Sequence, residues 1–134
     1  MGLRWSRMAT VRRLVKIAFV LLAAALGAVA WDVWQIRSLR PPPDRSFEGF
    51  TRAGRASTSF RIDEAGGRLY WIAPRPRTIV PHAEPPVYAF DRRGALVDWT
   101  PGGEPGMLSG AALRPRGREA TPEQARVWHA SRGR

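Results

Sequence analysis

The sequence predicts a single N-terminal transmembrane helix, or a signal peptide, followed by a small mainly antiparallel β domain with a short C-terminal helix. Three observations carry that reading. Residues 17–31 hold no charge and are apolar; short alternating segments between 46 and 100 are punctuated by Asp- and Gly-containing turns; and Thr121-Pro122-Glu123-Gln124 reads as a helix start. The expected organisation is a cytoplasmic basic segment over 1–13, a transmembrane signal-anchor over 14–34 and a Pro-rich linker over 35–45. A β-rich extracytoplasmic domain over 46–120 and a helix over 121–131 complete it.

A helix through 14–34 rises roughly 32 Å at about 1.5 Å per residue, enough for a hydrocarbon core of about 30 Å. Arg4, Arg7, Arg12, Arg13 and Lys16 precede or open that span, with no acidic residue among them. Lys and Arg are retained on the cytoplasmic side, so the N-terminus is expected inside; Arg37, Arg40 and Arg45 weaken the asymmetry without reversing it. Trp31 and Trp34 mark the outer membrane interface, where an indole keeps its ring among headgroups and its N–H in water. Asp32 between them is tolerable at that depth and costly at the bilayer centre. Trp5 and the arginines around it are expected to lie along the inner leaflet, drawn to anionic lipid. The alternative is a cleaved signal peptide, which needs a basic region, about 7–15 apolar residues and a small-x-small site. Ala28-Val29-Ala30 supplies that site. Arg12-Arg13-Leu14-Val15-Lys16 resembles part of a twin-arginine export motif, with Val11 standing before the pair where Ser or Thr is usual.

Composition narrows the function. The absence of cysteine excludes disulfides, thiolate catalysis, Cys-based metal sites and lipoprotein attachment, and the absence of Asn excludes glycosylation at Asn-x-Ser/Thr. Lys16 is the only lysine among 22 basic residues; this Arg-, Ala-, Gly- and Pro-rich usage resembles that of a GC-rich bacterial genome, which makes the bacterial inner membrane the expected location. A net charge of +11 would ordinarily suggest nucleic acid. Five of those charges belong to the N-terminal segment, and an exported domain does not meet nucleic acid. The arginines beyond Asp32 are interspersed with carboxylates, the pattern of a solvated surface.

Past the apolar run, Arg40-Pro41-Pro42-Pro43-Asp44 is expected to be a polyproline II spacer that lifts the domain roughly 10–15 Å off the bilayer. Strands are expected near 46–51, 58–62, 68–72, 86–90 and 95–100. Asp63-Glu64-Ala65-Gly66-Gly67 and Asp91-Arg92-Arg93-Gly94 close two hairpins, each Asp opening a turn and each Gly supplying a positive φ. The hairpins share an aromatic-x-apolar-Asp-turn-Gly-x-Leu-apolar pattern. Between them, prolines at 74, 76, 81, 85 and 86 bar central strands and mark a rigid exposed connection. At the C-terminal end, Thr121 and Gln124 form a capping box with Pro122 in the first turn.

No catalytic, cofactor-binding or metal-ligating residue is predicted, and the chain is expected not to be an enzyme. His82 and His129 lie in a Pro-rich loop and on the terminal helix. His82-Ala83-Glu84 alone does not specify a metal site. Gly106-Met107-Leu108-Ser109-Gly110 is not a nucleophile elbow. Phe60, Tyr70, Trp71, Tyr88, Phe90 and Trp99 are the expected core, since a domain without disulfides needs large anchors. Trp71, Arg75 and Arg77 are the candidate partner contact, two guanidinium forks for carboxylate or phosphate beside an indole. The expected partners are the lipid bilayer and a protein in a larger membrane or envelope complex, of which the chain would be a non-catalytic accessory subunit. The alternative is a small exported enzyme or inhibitor released by cleavage near Ala30.

Overall fold

Between Gly2 and Ser38 the sequence has no proline and a single internal glycine, Gly27, so nothing local stops a helix. The structure, a computed structural model that describes residues 2–79, 84–102 and 113–131, has one unbroken helix there, α1 (Gly2–Ser38). Its 37 residues span roughly 55 Å at about 1.5 Å each. The part from Trp5 to Ser38 is long and apolar enough to cross a membrane. Val15, Phe19, Val20, Leu22 and Leu26 all face outward, uncovered by the rest of the chain. Arg7, Arg12 and Arg13 lie on the same continuous axis, so the basic segment prolongs the apolar helix instead of forming a separate element.

Residues 46–51, expected as a strand, are a helix instead: α2 (Phe47–Arg52). Ser46 caps it, its hydroxyl accepting from the Gly49 N–H at 3.0 Å, and Asp44 in turn accepts from both the N–H and hydroxyl of Ser46. Those two bonds, with the nearby Arg52, hold the Asp44 carboxyl below its ordinary range. Phe47 and Phe50 stand three residues apart, a spacing that puts both on one helical face and would put them on opposite faces of a strand. Only Ser46 keeps strand character, in an isolated bridge to Ala95.

Five strands follow, β1 (Ser59–Asp63), β2 (Arg68–Ile72), β3 (Val87–Phe90), β4 (Leu96–Thr100) and β5 (Arg118–Ala120). They form an antiparallel sheet in the order β4-β3-β2-β1-β5. The first four make a meander in which the two expected hairpins are joined by pairing of β2 with β3; β5 returns to the free edge of β1 and leads directly into α3 (Pro122–Ala130). The Thr121 capping box is present, with the Gln124 side chain accepting from the Thr121 N–H at 2.9 Å.

Both hairpin turns use their aspartates as expected. The Asp63 carboxylate accepts from Gly66 N–H, and that of Asp91 from the N–H groups of Arg93 and Ala95. Gly94 has a φ of 80°, which only glycine adopts at little cost. Period-2 alternation then sorts the side chains. Phe60, Ile62, Leu69, Trp71, Tyr88 and Phe90 share the face that α2 and α3 cover with Phe47, Phe50, Ala125 and Trp128. Tyr70, Val87 and Ala89 form a smaller cluster with Ile72 and Leu113 on the other face. Trp71 is 3% exposed and its ring lies 5.1 Å from Phe60 and 5.6 Å from Phe50, so it is a core residue. That burial corrects its role as a surface anchor: its register opposite Phe60 and Tyr88 turns the indole under the helices.

Candidate functional site: the junction of helix and sheet

The last turns of α1 carry a stripe at helical spacing. Ala28, Asp32, Gln35 and Ile36 are partly covered while their neighbours are exposed, and Leu39, one turn on, is buried. This stripe is where the sheet domain meets the helix. The expected spacer therefore does not hold the domain off the helix: α1 runs on through Ser38, the chain bends at 43–44, and bonds from Arg55 and Tyr88 hold the domain against the helix end. Prolines stiffen a segment without dictating its direction, and long-range contacts decide that here.

A helix ends with four carbonyls that lack intrahelical partners. At α1 the final turn tightens through Leu39 N–H to Ile36 and Arg40 N–H to Arg37. The outer carbonyls are met from the domain. Arg55 donates to Ser38 O at 2.6 Å and also to Arg40 O, and the Tyr88 hydroxyl donates to Leu39 O. A guanidinium there also favours the negative end of the helix dipole. Arg55 lies 6.0 Å from the centre of the Phe50 ring, which sits under it. Burial pushes the Tyr88 phenol above its ordinary value, partly opposed by Arg55, and the hydroxyl serves as a donor. Neither residue was predicted for this place; a Tyr within a buried strand, whose hydroxyl needs a partner, is the one local signal.

On the same side the 73–79 connection meets the helix. The Trp31 indole N–H donates to Arg77 O at 3.0 Å, and Ile79 N–H donates to the Asp32 carboxylate at 2.8 Å. Trp31 and Trp34 pack with centroids 5.3 Å apart. The Trp31 N–H thus bonds to protein rather than to water, and Asp32, read only as tolerable, is a structural acceptor. Of the predicted site residues, Trp31 and Arg77 bond at this junction, Trp34 packs on Trp31, Arg75 lies two residues before Arg77 on the same connection, and Trp71 is elsewhere. Arg75 and Arg77 point outward, and among the described residues neither has an ion-pair partner.

An open groove of about 800 Å³ lies between α2, the β3–β4 turn and α3, lined by Phe47, Glu48, Arg52, Arg93, Arg126 and His129 among others. The His129 ring rests on Phe47 at 4.4 Å, and its Nε2 is buried with no hydrogen-bond partner among the described residues. Desolvation lowers its pKa, against the pull of Asp91 and Glu48. In the unfolded chain the imidazole takes a proton near its ordinary value of about 6.5, whereas the folded chain takes it only at lower pH. Stability is therefore full above about pH 6.5, declines below it where only the unfolded chain takes the proton, and the loss is complete once the pH has fallen through the lowered native value. Denaturant melts between about pH 5 and 8 should show this decline, and His129→Gln should flatten it; an equal decline in the variant overturns the assignment.

Among the described residues no three His, Cys, Asp or Glu side chains gather as a metal site. His82 and the 106–110 segment lie outside the described residues. No family model matches the chain, and neither a curated protein nor a solved structure matches it.

Proposed function

We propose that the chain is a single-pass protein of the bacterial inner membrane, with its N-terminus in the cytoplasm. Its extracytoplasmic β domain would act as a non-catalytic accessory or interaction subunit of a larger membrane or envelope complex. The observation that carries this reading is the pairing of an uncovered apolar helix with a sheet domain clasped to one end of it. Apolar side chains around the whole circumference of a helix are stable in lipid and costly in water. The clasp falls at Trp31–Asp32, where the apolar run stops, and the basic residues lie at the other end, the arrangement of an inside-to-outside span.

The helix also runs unbroken through Ala28-Val29-Ala30. Proteolysis favours exposed, irregular backbone, which supports the uncleaved anchor over the secreted form. A reporter fused at the C-terminus should be active outside the cytoplasm, and the protein should resist carbonate washing of membranes. Changing Arg12, Arg13 and Lys16 together to Glu should scramble the orientation. Recovery of a soluble protein whose mass begins at Trp31 would establish the exported alternative. Retention of partners in mild detergent tests the accessory role, and purification alone from intact membranes defeats it.

A further inference from the structure

The clasp determines which part of the domain faces the bilayer. The polar bonds from Arg55, Tyr88, Trp31 and Ile79 join the two bodies at separate points, so the domain cannot swing freely about the helix end. They place the backbone of Arg77 and Ile79 beside Trp31 and Asp32, the residues at which the apolar run gives way to charge. Pro74 and Pro76 stiffen the segment that carries the two arginines. Ile79 is 63% exposed next to them, an apolar side chain left uncovered where the domain is closest to the span.

Resting on the membrane-anchor reading, we propose that the 74–79 loop is a lipid-contacting surface. Arg75 and Arg77 bind the phosphates of anionic phospholipids in the outer leaflet, while Ile79, Trp31 and Trp34 sit at the headgroup boundary. The chemistry fits each part. A guanidinium presents paired donors that match phosphate oxygens, and these two have no carboxylate competing for them among the described residues. The two indole rings suit the interface, and the Trp31 N–H is already satisfied by Arg77 O. An acidic protein is the competing occupant. It would leave Ile79 and the tryptophan pair without an apolar counterpart, whereas a bilayer supplies phosphate and hydrocarbon at adjacent depths.

The absence of cysteine makes a clean test, because one introduced thiol can be labelled uniquely. The full chain carrying Ile79→Cys, or Ala65→Cys at the β1–β2 turn at the opposite end of β2, is labelled with a fluorophore and reconstituted in phosphatidylcholine vesicles. Phosphatidylglycerol bearing a nitroxide high on its acyl chain is titrated in, beside phosphatidylcholine labelled in the same way. The label at position 79 should be quenched preferentially by phosphatidylglycerol, and the label at 65 by neither lipid. Each arginine near an anionic surface contributes about fivefold in affinity, so Arg75→Ala with Arg77→Ala should raise the phosphatidylglycerol needed for half-quenching by up to about 30-fold. Near-UV circular dichroism of that variant should be unchanged. Equal quenching by the two lipids, unaffected by the arginine changes, overturns the proposal and leaves the anchor intact. So does an unquenched label at 79 in protein that sediments with the vesicles, which assigns the loop to water or a protein. Protein that does not sediment at all overturns the anchor and the lipid surface together.

Discussion

Phe50→Ala should cost the domain about 3–5 kcal/mol, the range for removing a buried aromatic ring. Phe50 is 0% exposed and meets Tyr88 at 4.9 Å and Phe90 at 5.0 Å, both edge-to-face. These contacts add to simple burial, because the positive edge of one ring meets the negative face of another. A single small core without disulfides supplies about 3–5 kcal/mol in all, so the variant should be largely unfolded rather than merely weakened. The clasp should fail with it, since Arg55 lies over Phe50 and Tyr88 packs beside it. Denaturant melts of the full chain in detergent, followed in the near ultraviolet, measure the loss. Val97→Ala on the edge strand β4, where the side chain is exposed, is the control and should stay within about 0.5 kcal/mol of the parent. A loss at Phe50 as small as that of the control would mean that α2 does not close the core.

Gly117→Val should detach β5. Gly117 has a φ of 93°, in a region that costs a β-branched residue about 1–3 kcal/mol. A Cβ there would also overlap the Ile62 carbonyl, whose carbon lies 2.5 Å from its position, with Asp63 Cα at 2.7 Å. The overlap is with backbone, so no side-chain rotation relieves it. The total should exceed about 3 kcal/mol when strain and overlap combine. The effect is directional: among the described residues β5 pairs only with β1, through Phe60–Ala120, Arg61–Glu119 and Ile62–Arg118. The Arg61 guanidinium also donates to Gly117 O at 2.6 Å. Amide exchange should accelerate across the β1–β5 ladder and through α3, which begins directly after β5, while β2–β3–β4 stays protected. Uniform acceleration of the whole sheet would show instead that β5 is integral to one cooperative unit.

Phe50 lies in an element that sequence reasoning misplaced, and Gly117 leads into one that it missed, both for physical reasons. Residues 46–51 carry two phenylalanines in a segment too short to display a period of 3.6 over 2, and the Ser46 cap is easily taken for a strand start. The three residues of β5 follow a run of arginines and prolines and show no alternation; they become a strand because β1 has an unpaired edge at that place. By contrast, β2 lies where it was expected, and β1, β3 and β4 are displaced by a residue at most at their ends. Asp63, Asp91 and Gly94 specify their turns by local chemistry that needs no knowledge of the rest of the chain.

By itself the sequence determined the apolar helix and the end at which its basic residues cluster, the two Asp-Gly hairpins, the strand aromatics Phe60, Trp71, Tyr88 and Phe90 of the core, and the capped terminal helix. Each depends on residues within a few positions of one another, through side-chain periodicity, fixed φ or a capping hydroxyl. Phe47, Phe50 and Trp128 joined that core from the helices, Tyr70 went to the other face and Trp99 is only partly buried. Only the tertiary structure decided where the domain sits. Three of the contacts that clasp it to the end of α1 join residues 46, 47 and 49 positions apart, and they turned Asp32 from a tolerated charge into an acceptor and Tyr88 into a helix cap. A lone carbonyl at a helix end and a lone hydroxyl on a strand carry no mark of each other in the sequence; their pairing follows from the packing of Phe50, Trp71 and Tyr88, which leaves buried polar groups that must find partners.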